Sequence, residues 1–228
     1  MKQINKYIQE RLHINKDIGN SHYNYHPKSR DELEELVYRL IEERGNDADL
    51  NDIDTSEITD MYGLFYKFIF NGDISKWNVS NVENMSFMFY NSNFNGDISQ
   101  WNVSNVKDMN GMFFRSKFNG DISNWDVSNV ETMKNMFDSS SFTGEHGDIS
   151  SWGVSNVEDM RGMFAYSVFN GDISKWDVSN VENMERMFEY SKFTGDISEW
   201  DVSNVKDMHD MFYESPLEKN PPKWYKKK

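Results

Sequence analysis

FNGDISKWNVSNVENMSFMFYNSN, residues 70–93, is one phrase of a chain that keeps repeating it. Phe70, Phe94, Phe118, Phe142, Phe169 and Phe193 each open F-[NT]-G and lead on to D-I-S-x-W. Trp77, Trp101, Trp125, Trp152, Trp176 and Trp200 therefore stand 24 residues apart, with one step of 27. A period of this size, sustained over many copies, signals a stacked array in which each unit buries its apolar face only against its neighbours. The longer step falls in the fourth copy, FTGEHGDIS, where Glu145 to Gly147 read as the extra residues. An insertion that leaves the flanking pattern intact belongs in a surface loop, so His146 is expected at a solvated tip.

Outward from these copies the pattern frays. Ile53 stands 24 residues before Trp77, and LNDIDTSEITDMYGLF has Leu50 for Ile74, Ile58 for Val82, Met61 for Met85 and Leu64 for Met88. This is a copy with a lighter core. Trp224 stands 24 residues after Trp200, with Leu217 at the phenylalanine position and Pro221 at the isoleucine position. Proline removes a backbone donor and suits an edge. Residues 217–228 are therefore expected to form a C-terminal half-repeat cap with a basic tail, and 46–216 a solenoid of seven coils. Residues 1–45 read as a helical N-terminal segment and cap. Ser29 and Glu32 make a capping box, Leu33, Val37, Leu40 and Ile41 share a face, and Gly45 stops the helix. A weaker helix is expected from Lys2 to His13 through Ile4, Ile8 and Leu12, as a cap or as an attachment site for a larger assembly.

Within a unit, V-S-N-V-x-x-M-x-x-M-F places its apolar residues as a helical stripe. Ser80, Ser128, Ser155 and Ser179, each followed three residues on by Glu83, Glu131, Glu158 and Glu182, read as capping boxes, while Ser104 and Ser203 have lysine there. N-G or T-G then turns the chain, and D-I-S-x-W-[ND]-V looks extended. The expected fold is an α/β solenoid of leucine-rich-repeat type, with one short strand and one short helix per 24-residue repeat. Twelve of the 14 methionines occupy the two helix positions, beginning with Met85, Met88, Met109 and Met112. Soft-metal or partner binding is weighed against packing, and strict core spacing favours packing. The tryptophans are likewise assigned to the core, each needing a partner for its indole N–H. A carbohydrate-stacking ladder is the alternative.

FNGDISKWNVSNVENMSFMF resembles the tryptophan-containing repeats of the BspA-like leucine-rich-repeat surface proteins of mycoplasmas, gut bacteria and their phages. The resemblance covers about Asn46 to Trp224. It implies a right-handed solenoid with a role in surface adhesion or protein binding, and carries no catalytic residues. The N-terminus has interleaved charges and no apolar run of secretory length, and the chain has no transmembrane stretch or lipidation cysteine. A cytoplasmic or virion-associated location is expected in preference to secretion.

The formal net charge is −14. Nucleic-acid binding needs a concentrated positive footprint, which scattered lysines and a short tail at Lys223 and Lys226 to Lys228 do not supply. Acidity keeps an aromatic-rich array soluble and monomeric, and a DNA-mimicking inhibitor is the sharper alternative. His13, His22, His26, His146 and His209 show no metal-ligand spacing. Asp73, Asp97, Asp121, Asp148, Asp172 and Asp196 would form a ladder about 5 Å apart if strands pair. It could collect calcium, but aspartates bonding turn amides in their own coils is the favoured reading. No catalytic, cofactor or metal residue is assigned, and no enzymatic activity is expected.

The copies differ on and just after the expected helix, at Phe87, Tyr90, Phe114, Arg115, Tyr166, Arg186, Tyr190 and Tyr213. An irregular protein partner needs irregular contacts rich in aromatics and arginine. The expected function is recognition or adhesion toward another protein through these positions. A structural or virion- or cell-surface component is the competing class, and the Asp/Ser lattice offers a further alternative as binder of a repetitive glycan.

Overall fold

A computed structural model describes residues 23–226. The helix expected from Lys2 to His13 lies outside the described residues. One α-helix stands at the start: α1, Arg30–Arg44, covers the first coil with Leu33, Leu36, Val37, Leu40 and Ile41. Its expected caps are present. Ser29 Oγ accepts from the Glu32 amide, and Gly45, at φ 93°, donates to the Ile41 carbonyl. The reciprocal half of the capping box is shifted by one residue, because the Glu32 carboxylate takes the Lys28 amide at 2.8 Å. A clip ties the preceding segment and the end of α1 to the first coil: Arg44 bridges both oxygens of Asp52 at 2.9 Å, and Asn24 adds an amide at 2.8 Å. Burial alone would raise the Asp52 carboxyl, but Arg44 and Asn24 hold it below the ordinary carboxylate range.

The repeats correct the expected fold. Among the described residues no coil contains a helix or a strand; the only other helical element is a 3₁₀ turn, Pro216–Glu218. Each coil is instead a chain of turns, and isolated parallel bridges join it to the next, running in succession through Asp60, Asn84, Asp108, Thr132, Asp159, Asn183 and Asp207, with a second bridge, Asp49 to Asp73, between the first two coils. The reason lies in where the amides go. From Met85 to Asn91 alternate amides leave the coil: Met85, Phe87, Phe89 and Asn91 donate to the carbonyls of Asp108, Asn110, Met112 and Phe114 at 2.6–2.9 Å. The amides between them close tight turns, as Met88 to Met85 O and Tyr90 to Phe87 O. A helix would need all of these donors for itself.

The capping boxes in the coils dissolve for the same reason. Ser80 is the far end of an Asx turn, its amide and hydroxyl both bonded to Asn78 Oδ1 at 3.1 and 2.7 Å. Such local bonds from Asn, Asp and Ser compete with helix formation. Four recur per coil in the copy from Phe70, where Asp73, Asn78, Asn84 and Ser92 each hold the amide two residues on. Glu83 does not cap; its carboxylate meets Lys107 of the next coil at 2.8 Å, as Glu182 meets Lys206 at 2.6 Å. The lysines that interrupt the box pattern are the partners of those glutamates.

The core is as expected. Trp77, Trp101, Trp125, Trp152, Trp176 and Trp200 are at most 4 % exposed, and Met85, Met88, Met109 and Met112 are fully buried. Each indole N–H finds a carbonyl in the preceding coil, Trp77 to Leu50 O at 2.9 Å and Trp101 to Ile74 O at 3.2 Å. Trp224 repeats the bond to Ile197 O at 2.9 Å, so the half-repeat carries a genuine rung. A second ladder, Phe65, Phe89, Phe113, Phe137, Phe164, Phe188 and Phe212, stacks at centroid distances of 5.5–5.9 Å. Glycines let the coils approach: a Cβ on Gly72 would lie 2.0 Å from Ala48 O, and one on Gly147 would lie 2.9 Å from Gly120 O. Gly147 therefore occupies the regular glycine position, and the inserted residues are Gly144 to His146 rather than Glu145 to Gly147. His146 is exposed, as expected of a loop tip.

Candidate functional site

Two positions in every coil adopt left-handed backbone. The first is filled by Gly63, Phe87, Gly111, Asn135, Gly162, Arg186 and Asp210, and the second by Lys67, Asn91, Arg115, Ser139, Tyr166, Tyr190 and Glu214, all at φ 50–61°. This conformation costs a non-glycine residue roughly 1–2 kcal/mol. The turns demand it, because alternate amides must point along the stack. Glycine would satisfy the demand without strain, yet the chain places phenylalanine, arginine and tyrosine there. Five of the eight variable residues singled out in the sequence, Phe87, Arg115, Tyr166, Arg186 and Tyr190, occupy these strained positions.

The stack brings the variable residues onto one ridge in two groups. In the first, Tyr66 stacks on Tyr90 at 4.6 Å and Tyr90 on Phe114 at 4.8 Å, while Phe87 sits edge-on between Tyr62 and Tyr90. Lys67 lies over Tyr66 at 4.9 Å and Arg115 over Phe114 at 5.2 Å, so both cations are held against ring faces. In the second group Tyr166 stacks on Tyr190 at 4.9 Å and Tyr190 meets Tyr213 edge-on at 5.5 Å. Tyr166, Tyr190, Tyr213, Arg115 and Arg186 are exposed; Phe87, Tyr90 and Phe114 are half-buried. Phe87 covers the next coil, where a Cβ on Gly111 would meet its ring at 2.7 Å. Arg186 is engaged by Glu185 and Glu189 at 3.6 and 3.9 Å.

Between the groups stands Asp138, at the position filled by Tyr66, Tyr90 and Phe114 in earlier coils. Burial pushes its carboxyl up to about 6, against the opposing pull of the Ser139 hydroxyl and the Arg115 cation. The Tyr190 hydroxyl is pushed up to about 12, first by its hydrogen bond with Tyr213. Tyr62, Tyr66, Lys67 and Asp138 belong to the ridge and escaped the sequence reading. Aligning the light copy residue by residue, Tyr66 standing 24 before Tyr90, would have found the first three.

The aspartate ladder behaves as the turn reading anticipates. Asp73, Asp97, Asp121, Asp148, Asp172 and Asp196 each accept from the serine amide two residues on at 2.9 Å. Those amide bonds hold the carboxyls of Asp73, Asp121, Asp172 and Asp196 below the ordinary range. Among the described residues no three His, Asp or Glu side chains converge in a geometry for a metal ion. His26 pairs with Asp54 at 3.0 Å and His209 with Asp210 at 3.1 Å, two separate contacts at opposite ends of the stack. No helix among the described residues is long and apolar enough to cross a membrane.

No curated protein and no solved structure matches the chain. A family does: the one described as Mycoplasma protein of unknown function, DUF285, matches residues 32–146 and 139–227, which takes in all but the first two residues of α1, every coil and the half-repeat. The chain, from its helical cap to its last tryptophan, belongs to the DUF285 family.

Proposed function

We propose that the protein is a non-enzymatic recognition module that binds another protein through the aromatic ridge. The observation that carries this reading is the occupancy of the left-handed positions. Arg115, Tyr166, Arg186 and Tyr190 stand where glycine would relieve strain, and their side chains are exposed. Backbone strain retained at exposed side chains points to selection for those side chains. Exposed tyrosines and arginines on a rigid support are also the composition of binding hot spots. The similarity of the repeats to BspA-like surface proteins supports a role in adhesion or protein binding. The regular aspartate and serine positions, whose side chains bond their own turns, supply the scaffold and no activity.

The test is a comparison of two properties. Tyr166→Ala with Tyr190→Ala should weaken the complex with a partner captured from the source cells and then purified, measured by calorimetric titration. Thermal unfolding should stay nearly unchanged. Equal affinity in the double variant would remove the ridge from the binding surface, and collapse of the fold would reassign both tyrosines to structural support.

A further inference from the structure

The two ends of the coil stack are finished differently. At the N-terminal end α1 buries five apolar residues on the first coil, and Arg30 Nε donates to the Tyr62 carbonyl at 3.0 Å. At the C-terminal end the half-repeat packs Trp224 and Tyr225 on Phe212 at 6.1 and 4.8 Å, and Pro221 and Tyr225 stand across a cavity from Met208. Among the described residues no helix comparable to α1 closes the valine and methionine positions of the last coil. Val202, Val205 and Met208 are only partly buried, whereas Val178, Val181 and Met184, one coil earlier, are at most 1 % exposed.

The backbone of this edge is equally informative. At the preceding junction Met184, Arg186, Phe188 and Tyr190 donate their amides to Asp207, His209, Met211 and Tyr213. The equivalent donors on the last coil are Met208, Asp210, Phe212 and Glu214. Glu214 donates to the Glu218 carboxylate at 2.9 Å. The amides of Met208, Asp210 and Phe212 have no acceptor among the described residues. A cavity of about 280 Å³ lies alongside, with Met208, Phe212, Pro221 and Tyr225 in its wall.

We propose that this edge is a docking site for a segment of a partner polypeptide carrying the repeat's own Val-x-x-Met-x-x-Met-Phe pattern, which completes the last coil in trans. The molecule itself displays the required chemistry at each earlier junction: carbonyls at every second residue facing the free amides, and methionine and phenylalanine side chains filling the apolar side. Main-chain bonds to an exposed edge supply affinity in this mode, and alternate side chains supply specificity. An intact second copy does not fit as the occupant, because α1 closes its own first coil.

The probe is a fluorescent peptide of residues 178–191, VSNVENMERMFEYS, added to the full chain. Saturable binding is expected, with hydrogen exchange at the amides of Met208, Asp210 and Phe212 slowed at least about tenfold. The peptide carrying Met184→Asp and Met187→Asp should not bind. Met208→Glu in the protein should weaken the peptide by about tenfold, the loss of one apolar anchor, without lowering the melting temperature. Absence of binding, or binding without slowed exchange at those amides, overturns the proposal. So does binding lost in Tyr166→Ala and retained in Met208→Glu, which places the peptide on the ridge. End-to-end dimers of the protein in sedimentation would overturn it in favour of a second copy. The ridge reading is separate and survives failure here.

Discussion

Each coil has two sides built by opposite rules. On the tryptophan side the residues hardly change between copies, their side chains are buried or bonded to neighbouring turns, and every indole finds the same acceptor. On the ridge side the residues change from coil to coil: the first left-handed position is filled by glycine in some coils and by Phe87 or Arg186 in others, and the second by residues as different as Arg115, Ser139 and Tyr190. The difference teaches that repetition here marks what holds the stack together, and that departures from repetition mark freedom to serve something else. Substitutions on the two sides should therefore differ in kind.

The largest effect belongs to the tryptophan side. Trp125 is 3 % exposed, packs on Phe113 at 6.3 Å and donates to Ile98 O at 3.1 Å. Trp125→Ala leaves a cavity in the middle of the stack and removes one of the two hydrogen bonds that Ile98 O accepts, the other coming from the Trp101 amide, at a cost of roughly 3–5 kcal/mol. Chemical denaturation should show the loss. A cost below about 1 kcal/mol would mean that the coils tolerate a missing rung and that the uniformity of this side is not structural.

The core, the caps of α1 and the location of the variable residues were all legible in the sequence; the backbone of the coil was not. Val79, Val82, Met85 and Met88 advance by three residues at each step. An α-helical stripe alternates steps of three and four, and steps of three alone walk the stripe around the helix by about 60° each. They fit instead a series of tight turns, Val82 closing on Val79 and Met88 on Met85. Asn78 and Asn84, standing just where their side chains could take the next amides, were the second sign against helix. The ridge was legible as variation, but its strain was not, since the left-handed positions follow from inter-coil bonding that appears only once the coils are stacked.

A smaller effect is expected at the bridge positions, which lie between the two sides. Carboxylates at Asp60, Asp108, Asp159 and Asp207 alternate with Asn84, Thr132 and Asn183 in successive paired coils. The alternation keeps like charges from standing next to one another. Burial, with Asp60 adding to it, already raises the Asp108 carboxyl. Asn84→Asp sets a carboxylate directly between Asp60 and Asp108, at a cost on the order of 1 kcal/mol for each neighbour some 5 Å away. Carboxyls raised in the folded state favour folding at low pH and lose that contribution as pH rises through their folded values. The deficit of Asn84→Asp should therefore be full at pH 7 and close on acidification. A deficit that does not change with pH would point to geometry in place of charge.

The smallest change should come from Tyr190, and there the order of two substitutions matters more than their size. Tyr190→Ala removes a ring that stacks on Tyr166 and keeps a Cβ at φ 50°. The lost contacts cost about 0.5–1.5 kcal/mol, and the strain stays. Tyr190→Gly loses the same contacts but releases roughly 1–2 kcal/mol of left-handed strain, against about 0.5–1 kcal/mol of added chain entropy in the unfolded state. Glycine should thus equal or exceed alanine in melting temperature, the reverse of the usual order in regular structure. If alanine proves the more stable, the strain is not there to be released, and tyrosine at this position needs no partner to explain it. If glycine proves the more stable, Tyr190 is kept against the preference of its own backbone, and the ridge differs from the tryptophan side in the way a binding surface should.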